Sequence, residues 1–584
     1  MWYFQSYLLL TAGILATFVF GAPSVTTLNA TEWQLSNGDP SCLFNVTINS
    51  KGYAHDMTWN GNNIVGNATG GYSDTGGKIT FNFTSGPTII EQTDEYIHVA
   101  FDSYLATVHY ILMNDLAGHY QYVINNNLGN QGEVRSLYRF DPLQFHSGRT
   151  NIKNDYLPTI QYIEVGYKVQ DETWQRRNGS YITKYDFSCF VRDLDYHGVY
   201  GDNIGAFIIA PGKDYYIGDH LKQELMLHRE SATDDVVLLH MYHGSHYNSE
   251  FGHVIPRGKM WGPWLLYIND GDLENAKARS KQESDAWPYK WLGDTNYQNR
   301  GNVNGKLVLS DGRDASGAAV FLGDENGYET NNQGQTYQYT TYADDQGHFT
   351  FENVRKEKDY RLIAWSNGGK ISDVDNIYNE TTVITFNNTR GQTKDLGTID
   401  WIIPKREIEW RIGDFDKKTL GLKYGGVPLE HGLSDKTPAN LIYSIGESKT
   451  EDWYFAQSAQ GNWTVIFDQS TKTNQTATLT LSFAGYTSQN GYGLGKDSYT
   501  YPEVTPTGLN VSMNQFLVGT ISSENATDGA LYRSATVAGG YYATRFTVPS
   551  EYFLTDKANR LDLTLTQNHR WRGIIWDALK LEWN

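Results

Sequence analysis

Short runs in which apolar and polar residues alternate recur along this chain, and they constrain its fold more than any other feature. KITFNFT (78–84), YIHVAFD (96–102), TVHYILMN (107–114) and HYQYVINN (119–126) follow one another with Gly, Asn and Asp turns between them. A period of two puts one side of each strand into a core and the other towards water, the pattern of stacked antiparallel sheets. Near the C-terminus RLDLTLTQ does the same, bringing Leu561, Leu563 and Leu565 to one face. The fold class expected is therefore mainly β.

One stretch breaks the period. DGDLENAKARSKQESDAWPY (270–289) opens on aspartates, continues with good helix formers and ends at Pro288, which predicts a helix closing a first large antiparallel sandwich. A fresh β-unit then begins at NVNGKLVLSDGRDASGAAVFLG, and its hundred or so residues suit a small seven-stranded sandwich. From near Ile399 a third unit, opening with EIEWRIGDFD, reads as a jelly-roll sandwich. Its aromatics Trp463, Tyr541, Tyr542 and Trp571 are suited to stacking on sugar rings or to packing a core, with packing the commoner use. A length of 584 residues accommodates such a series, with expected spans of 22–297, 298–398 and 399–584.

Residues 1–21 hold an apolar core from Leu8 to Phe20, too short to span a bilayer and ending in small residues, so they read as a signal peptide, with an uncleaved anchor as the alternative because a basic n-region is missing. Eleven N-x-S/T sequons, among them Asn29, Asn67, Asn178, Asn379, Asn462 and Asn525, agree with a secreted, extracellular glycoprotein that has no membrane span. The net charge of −19, with no lysine or arginine run, argues against nucleic acid as a partner. Only Cys42 and Cys189 are available for a disulfide, and a pair of buried thiols is the alternative.

The densest chemistry lies in LLHMYHGSHYNSE (238–250). Its histidines 240, 243 and 246 invite a zinc reading, but on a strand His243 points away from the other two and no H-E-x-x-H helix is present, so no metal is assigned. No G-x-S-x-G elbow, phosphate-binding loop or dinucleotide fingerprint occurs in a strand-to-helix setting. A carboxylate pair for glycoside hydrolysis stays open as an alternative, because the two acids need not be close in sequence.

Several segments resemble those of the rhamnogalacturonan lyases of polysaccharide lyase family 4, in their fungal-type secreted form. They are GEVRSLYRFDP (132–142), TKYDFS (183–188), HGVYGD (197–202), GSHYNSE (244–250), WGPWLLYINDGD (261–272) and AKARSKQESDAWPY (276–289). Further on, ADDQGHFTFENVR resembles the family's fibronectin-III-like second domain, while EWRIGDFD, KTEDWYFAQ and RGIIWDALKLEW resemble its carbohydrate-binding-module-like third. The resemblance implies a monomeric endolyase acting on rhamnogalacturonan I by β-elimination, with a non-catalytic pectin-binding protein on the same scaffold as the alternative.

It also points to Lys184 and His246 as the catalytic pair. Elimination removes the C5 proton of a uronate, a weak carbon acid, so the site needs cations at the carboxylate and a base of lowered pKa. Lys184 fits the base if desolvation and Arg135 or Arg139 disfavour its charge, and His246 then protonates the departing O4, although the roles are interchangeable at this level. Arg135 and Arg139, four apart and so on one strand face, are expected to bind substrate, together with Tyr242 and Glu250. Two aromatic positions of the family fall here on Leu239 and Met241. No cofactor is required for catalysis. Asp414 and Asp416 are the acids suited to a structural calcium ion.

Overall fold

In the computed structural model, three successive β-units follow one another. It describes residues 21–584 apart from 77–78, 162–165, 171, 248–253, 325–329, 357, 381–382, 386–390, 427–430, 469, 473, 488–507, 523–527, 532–541 and 567–571. The expected signal segment, up to residue 20, lies outside the described residues.

The first unit is built on a nine-stranded antiparallel sheet running from the edge strand Asn154–Tyr156, through Met260–Asn269 at its centre, to Thr88–Gln92. A five-stranded meander, from Ser24–Asn29 to Asn62–Asn63, shares its core. So does a four-stranded sheet ordered Leu227–Arg229, Val236–His243, Val134–Phe140, Tyr72–Asp74. Val46, Ile97, Val108, Leu238 and Trp264 are all fully or almost fully buried in that core.

The predicted strands YIHVAFD, TVHYILMN and HYQYVINN form within a residue of their expected limits, at Tyr96–Asp102, Ala106–Met113 and Gly118–Asn125. KITFNFT does not form a strand in its described part. Thr80 and Phe83 make isolated bridges to Asp74 and Ser103, and the amides of Phe81 and Phe83 bond the carbonyls of Ser73 and Ser50. Its backbone is shared among different partners, so alternation buries Phe81 and Phe83 without a ladder.

The predicted helix spans Leu273–Ala286. Asp272 caps it, its carboxylate accepting from the amides of Glu274 and Asn275 at 2.8 and 3.2 Å. It ends just before Pro288 and lays Ala276 into an apolar cluster with Phe207 and Leu265 on the outer face of the large sheet.

Among the described residues the second unit has seven strands, three in one sheet and four in the other. Its strand Thr393–Trp401 runs parallel to Arg300–Leu309 through Trp401, past the expected boundary at residue 398. The third unit packs the sheet containing Ala477–Thr487 and Gly573–Trp583 on one containing Gly461–Phe467 and Asn559–Leu565. Leu561, Leu563 and Leu565 point into its core as predicted, and so does Trp463, which is fully buried and unavailable to sugar. Tyr542 is half-buried, while Tyr541 and Trp571 lie outside the described residues.

The expected disulfide does not form, and both cysteines are free thiols. Cys42 sits in the turn before Phe44–Asn49, where burial and Asp39 push its thiol up to about 11. Cys189 is buried on Ser188–Phe190, paired with Gln223–Leu225, and burial pushes it up to about 12. Each is enclosed by its own neighbours.

Candidate active site

Lys184 follows the strand Tyr181–Thr183 and opens a single 3-10 turn, Lys184–Phe187. Thr183 makes the break: its hydroxyl accepts from the Tyr185 amide at 3.3 Å and meets the Thr173 hydroxyl at 2.8 Å. Half-buried Lys184 lines a cavity of about 260 Å³ whose walls carry the cations Lys153, Arg176 and Arg229 and the acids Asp155, Glu172 and Asp186. Trp174 and Tyr156 add aromatic surface to it.

His246 leaves its strand at the Gly244 turn. The ladder ends at His243, so the strand parity used for the three histidines does not extend to residue 246. Gly244 has φ +102°, and a Cβ there would stand 2.3 Å from the Gly132 carbonyl oxygen. Beyond the turn, the His246 amide donates to Glu224 Oε2 at 3.2 Å, and the ring Nδ1 makes a short hydrogen bond to Glu224 Oε1. A carboxylate accepts, so Nδ1 carries the proton and Nε2 is the edge left for substrate. Glu224 is itself fully buried, bonded by the Leu225 amide at 2.8 Å and by Lys222 Nζ at 3.3 Å. Burial alone would raise its pKa, but the charges of His246 and Lys222 outweigh that and bring it down to about 2.

Tyr185 links the two halves. Lys184 Nζ lies 5.4 Å from the centre of its ring, and the His246 ring sits 6.4 Å away edge-on. His246 is not on the wall of the Lys184 cavity; the neighbouring segment 248–253, which contains the expected ligand Glu250, lies outside the described residues.

Arg135 and Arg139 do share a strand face, flanking Leu137 opposite Met241, Leu239 and Val237. Both are engaged by protein carboxylates. Arg139 places Nη1 and Nη2 on Glu230 and is 3.4 Å from the Tyr72 hydroxyl. Arg135 gives Nε to Asp74 at 3.0 Å and holds Glu133 more loosely, at 3.8 Å, so its guanidinium edge is the less committed. Neither lines the Lys184 cavity. Tyr242 is a correction: it is fully buried against Trp261 and Trp264 on the core side of its strand and cannot touch sugar. Of the two acids considered for calcium, Asp414 pairs with Arg411 at 3.2 Å and Asp416 accepts from the Lys418 amide at 2.8 Å.

Glu224, His228 and the cavity residues Lys153, Trp174 and Arg176 were not singled out in the sequence. His228 shares the cavity with Lys184, and its Nδ1 donates to the Arg229 carbonyl at 3.0 Å, leaving Nε2 as an acceptor. Burial and then the Lys184 charge lower it to about 3. A neutral imidazole of that kind is a poor proton donor, whereas the His246 ring is held by a buried carboxylate at its Nδ1.

Comparison with known proteins bears on this geometry. Residues 310–388 match the family model described as polysaccharide lyase family 4, domain II, and residues 409–581 match the one described as CBM-like, domain III of the same family. A rhamnogalacturonate lyase of Dickeya dadantii is 30% identical over 97% of this chain and 97% of its own. The chain belongs to polysaccharide lyase family 4. A probable rhamnogalacturonate lyase B of Aspergillus niger is 24% identical over 66% of this chain and 64% of its own. Rhamnogalacturonate lyase B of Emericella nidulans reaches 26% over 62% and 63%. Among solved structures, the major pilin SpaD of Corynebacterium diphtheriae overlays with a TM-score of 0.15 at 11% identity, over 49% of this chain and 57% of that one, too little to bear on the fold.

Proposed function

We propose that this chain is a rhamnogalacturonan lyase, opening the α-L-rhamnose-(1→4)-α-D-galacturonic acid bond of rhamnogalacturonan I by β-elimination. The observation that carries this reading is the near full-length similarity to a rhamnogalacturonate lyase. In it, Lys184 takes the C5 proton of the galacturonate while Lys153 and Arg176 face its carboxylate across the cavity. The C5–H electron pair becomes the C4=C5 double bond, the C4–O4 bond breaks, and His246 Nε2 delivers a proton to the departing oxygen. Glu224 holds that imidazole by its other nitrogen. The reaction needs no cofactor.

The apolar leader and the sequons support secretion, and the enzyme is read as monomeric. Incubation with purified rhamnogalacturonan I, followed by the ultraviolet absorbance of the unsaturated uronate, tests the activity. Shortening without absorbance means hydrolysis by a carboxylate pair, and binding without shortening means a pectin-binding protein.

A further inference from the structure

We propose that the bound polysaccharide runs on from the Lys184 cavity across Tyr156 and His146 into a second cavity, which takes a neutral 6-deoxyhexose unit of the same chain. This rests on the lyase reading above and names a part of the substrate path that the reaction itself does not use.

The second cavity, about 380 Å³, is walled by Trp59, Asn62, Leu143, His146, Asp202 and Asn203 among others. That volume is within the range of small-molecule sites, about 300–1,000 Å³. A stacked pair of rings joins it to the first. Tyr156 lines the Lys184 cavity and lies face to face with His146, which lines the second, at 5.6 Å between centres and 30° between planes. The pair is held from behind, because the Leu157 amide donates to the His146 carbonyl at 2.8 Å and Ser147 pairs with Tyr156 across the two short strands. Tyr156 is nevertheless 75% exposed, so a flat ring lies open on the ridge between the cavities, the arrangement that stacks on the C–H face of a pyranose.

Charge separates the two cavities. The first sets Lys153, Arg176, Lys184 and Arg229 against Asp155, Glu172 and Asp186, whereas the described residues lining the second include no lysine or arginine and one carboxylate, Asp202, whose side chain is 90% exposed. With four cations against three acids, the first suits a uronate better than the second, which offers it no cation from lysine or arginine. Leu143 stands 91% exposed at the rim of the second cavity, an apolar surface with no core to serve, and it matches the methyl group that distinguishes a 6-deoxyhexose from other neutral sugars.

The test compares kcat/KM on long polymer with kcat/KM on the shortest oligosaccharide cleaved, for wild type, Trp59→Ala and Leu143→Ser, with Tm recorded for each. Leu143 is solvent-facing, so its variant keeps the test decisive if Trp59→Ala folds poorly. The polymer-to-oligosaccharide ratio is expected to fall about 3- to 10-fold in each variant, the loss of one stacking or apolar sugar contact. A ratio within twofold of wild type in Leu143→Ser and in folded Trp59→Ala overturns the proposal. Asp202→Asn decides the sugar class: a ratio unchanged or lowered fits a neutral unit, and a rise overturns that assignment. If wild type forms no unsaturated uronate from any substrate, it is the lyase reading that fails.

Discussion

At the scale of single residues, the proposed chemistry rests on Lys184 and His246, whose surroundings differ. Lys184→Ala and His246→Ala are each expected to lower kcat by about 10² to 10⁴-fold, the usual contribution of a positioned acid or base, with Tm little changed for half-buried Lys184. Glu224 acts through His246 without touching substrate, so its conservative variant is the more informative. Glu224→Gln is expected to cost about 10²-fold in kcat with KM little changed, because the imidazole loses the carboxylate that orients it. A merely structural role would lower Tm and leave kcat per folded molecule unchanged. Lys184 and His246 were legible in the sequence only through their family-like context. Glu224 and His228 were not legible, since each meets its partner through tertiary packing, Glu224 from 22 residues away, and no local spacing encodes such a contact.

At the scale of elements, most strands and the helix Leu273–Ala286 could be read from period, caps and turns, because one face of each is buried and the sequence must record it. What escaped was backbone set by tertiary contact: the unladdered KITFNFT run, the 3-10 turn at Lys184 and the strand end before His246. The last is fixed by Gly244, and Gly244→Ala is expected to lower both Tm and kcat, since φ +102° and the Gly132 carbonyl 2.3 Å away force the turn to move and carry His246 with it. Acid sensitivity also belongs to the strands. His109 and His119 are buried on neighbouring strands and His197 on another strand of the same sheet, and burial lowers them to about 3, about 3 and about 4. Unfolded, each binds a proton near pH 6.5, so below that pH the unfolded chain holds more protons than the folded one. Their contribution is complete above pH 6.5 and is lost as pH falls towards 4, at about 1.4 kcal/mol per pH unit for each histidine. Tm measured from pH 7 to 4.5 should therefore fall continuously, and a flat profile would refute the assignment.

At the scale of the whole molecule, the active site is finished by units far from it in sequence. Tyr185 and Tyr247, beside the proposed catalytic pair, belong to the apolar core of the third unit, and the Tyr181 hydroxyl bonds Asp435 there at 2.9 Å. The position of the third unit is fixed in turn by buried carboxylates at the joints. Asp375 of the second unit binds Lys580 and Arg545 of the third at 3.2 and 2.9 Å. Asp214 of the first binds Arg300 and Arg355 of the second at 2.9 and 3.0 Å. Burial would raise Asp214, but the two guanidinium groups outweigh it and hold the carboxyl below its usual range, so the joint stays charged above pH 4. Asp214→Ala takes the shared carboxylate away and leaves two buried cations without it, a change that typically costs about 3–5 kcal/mol. Because that cost falls at a joint and not within either core, calorimetry is expected to resolve a separate, earlier transition for the released units. Activity should decline with that transition, since Tyr185 and Tyr247 lose the surface they lean on. A single transition at the wild-type Tm would mean that the apolar contacts across the joint suffice without the ion pairs.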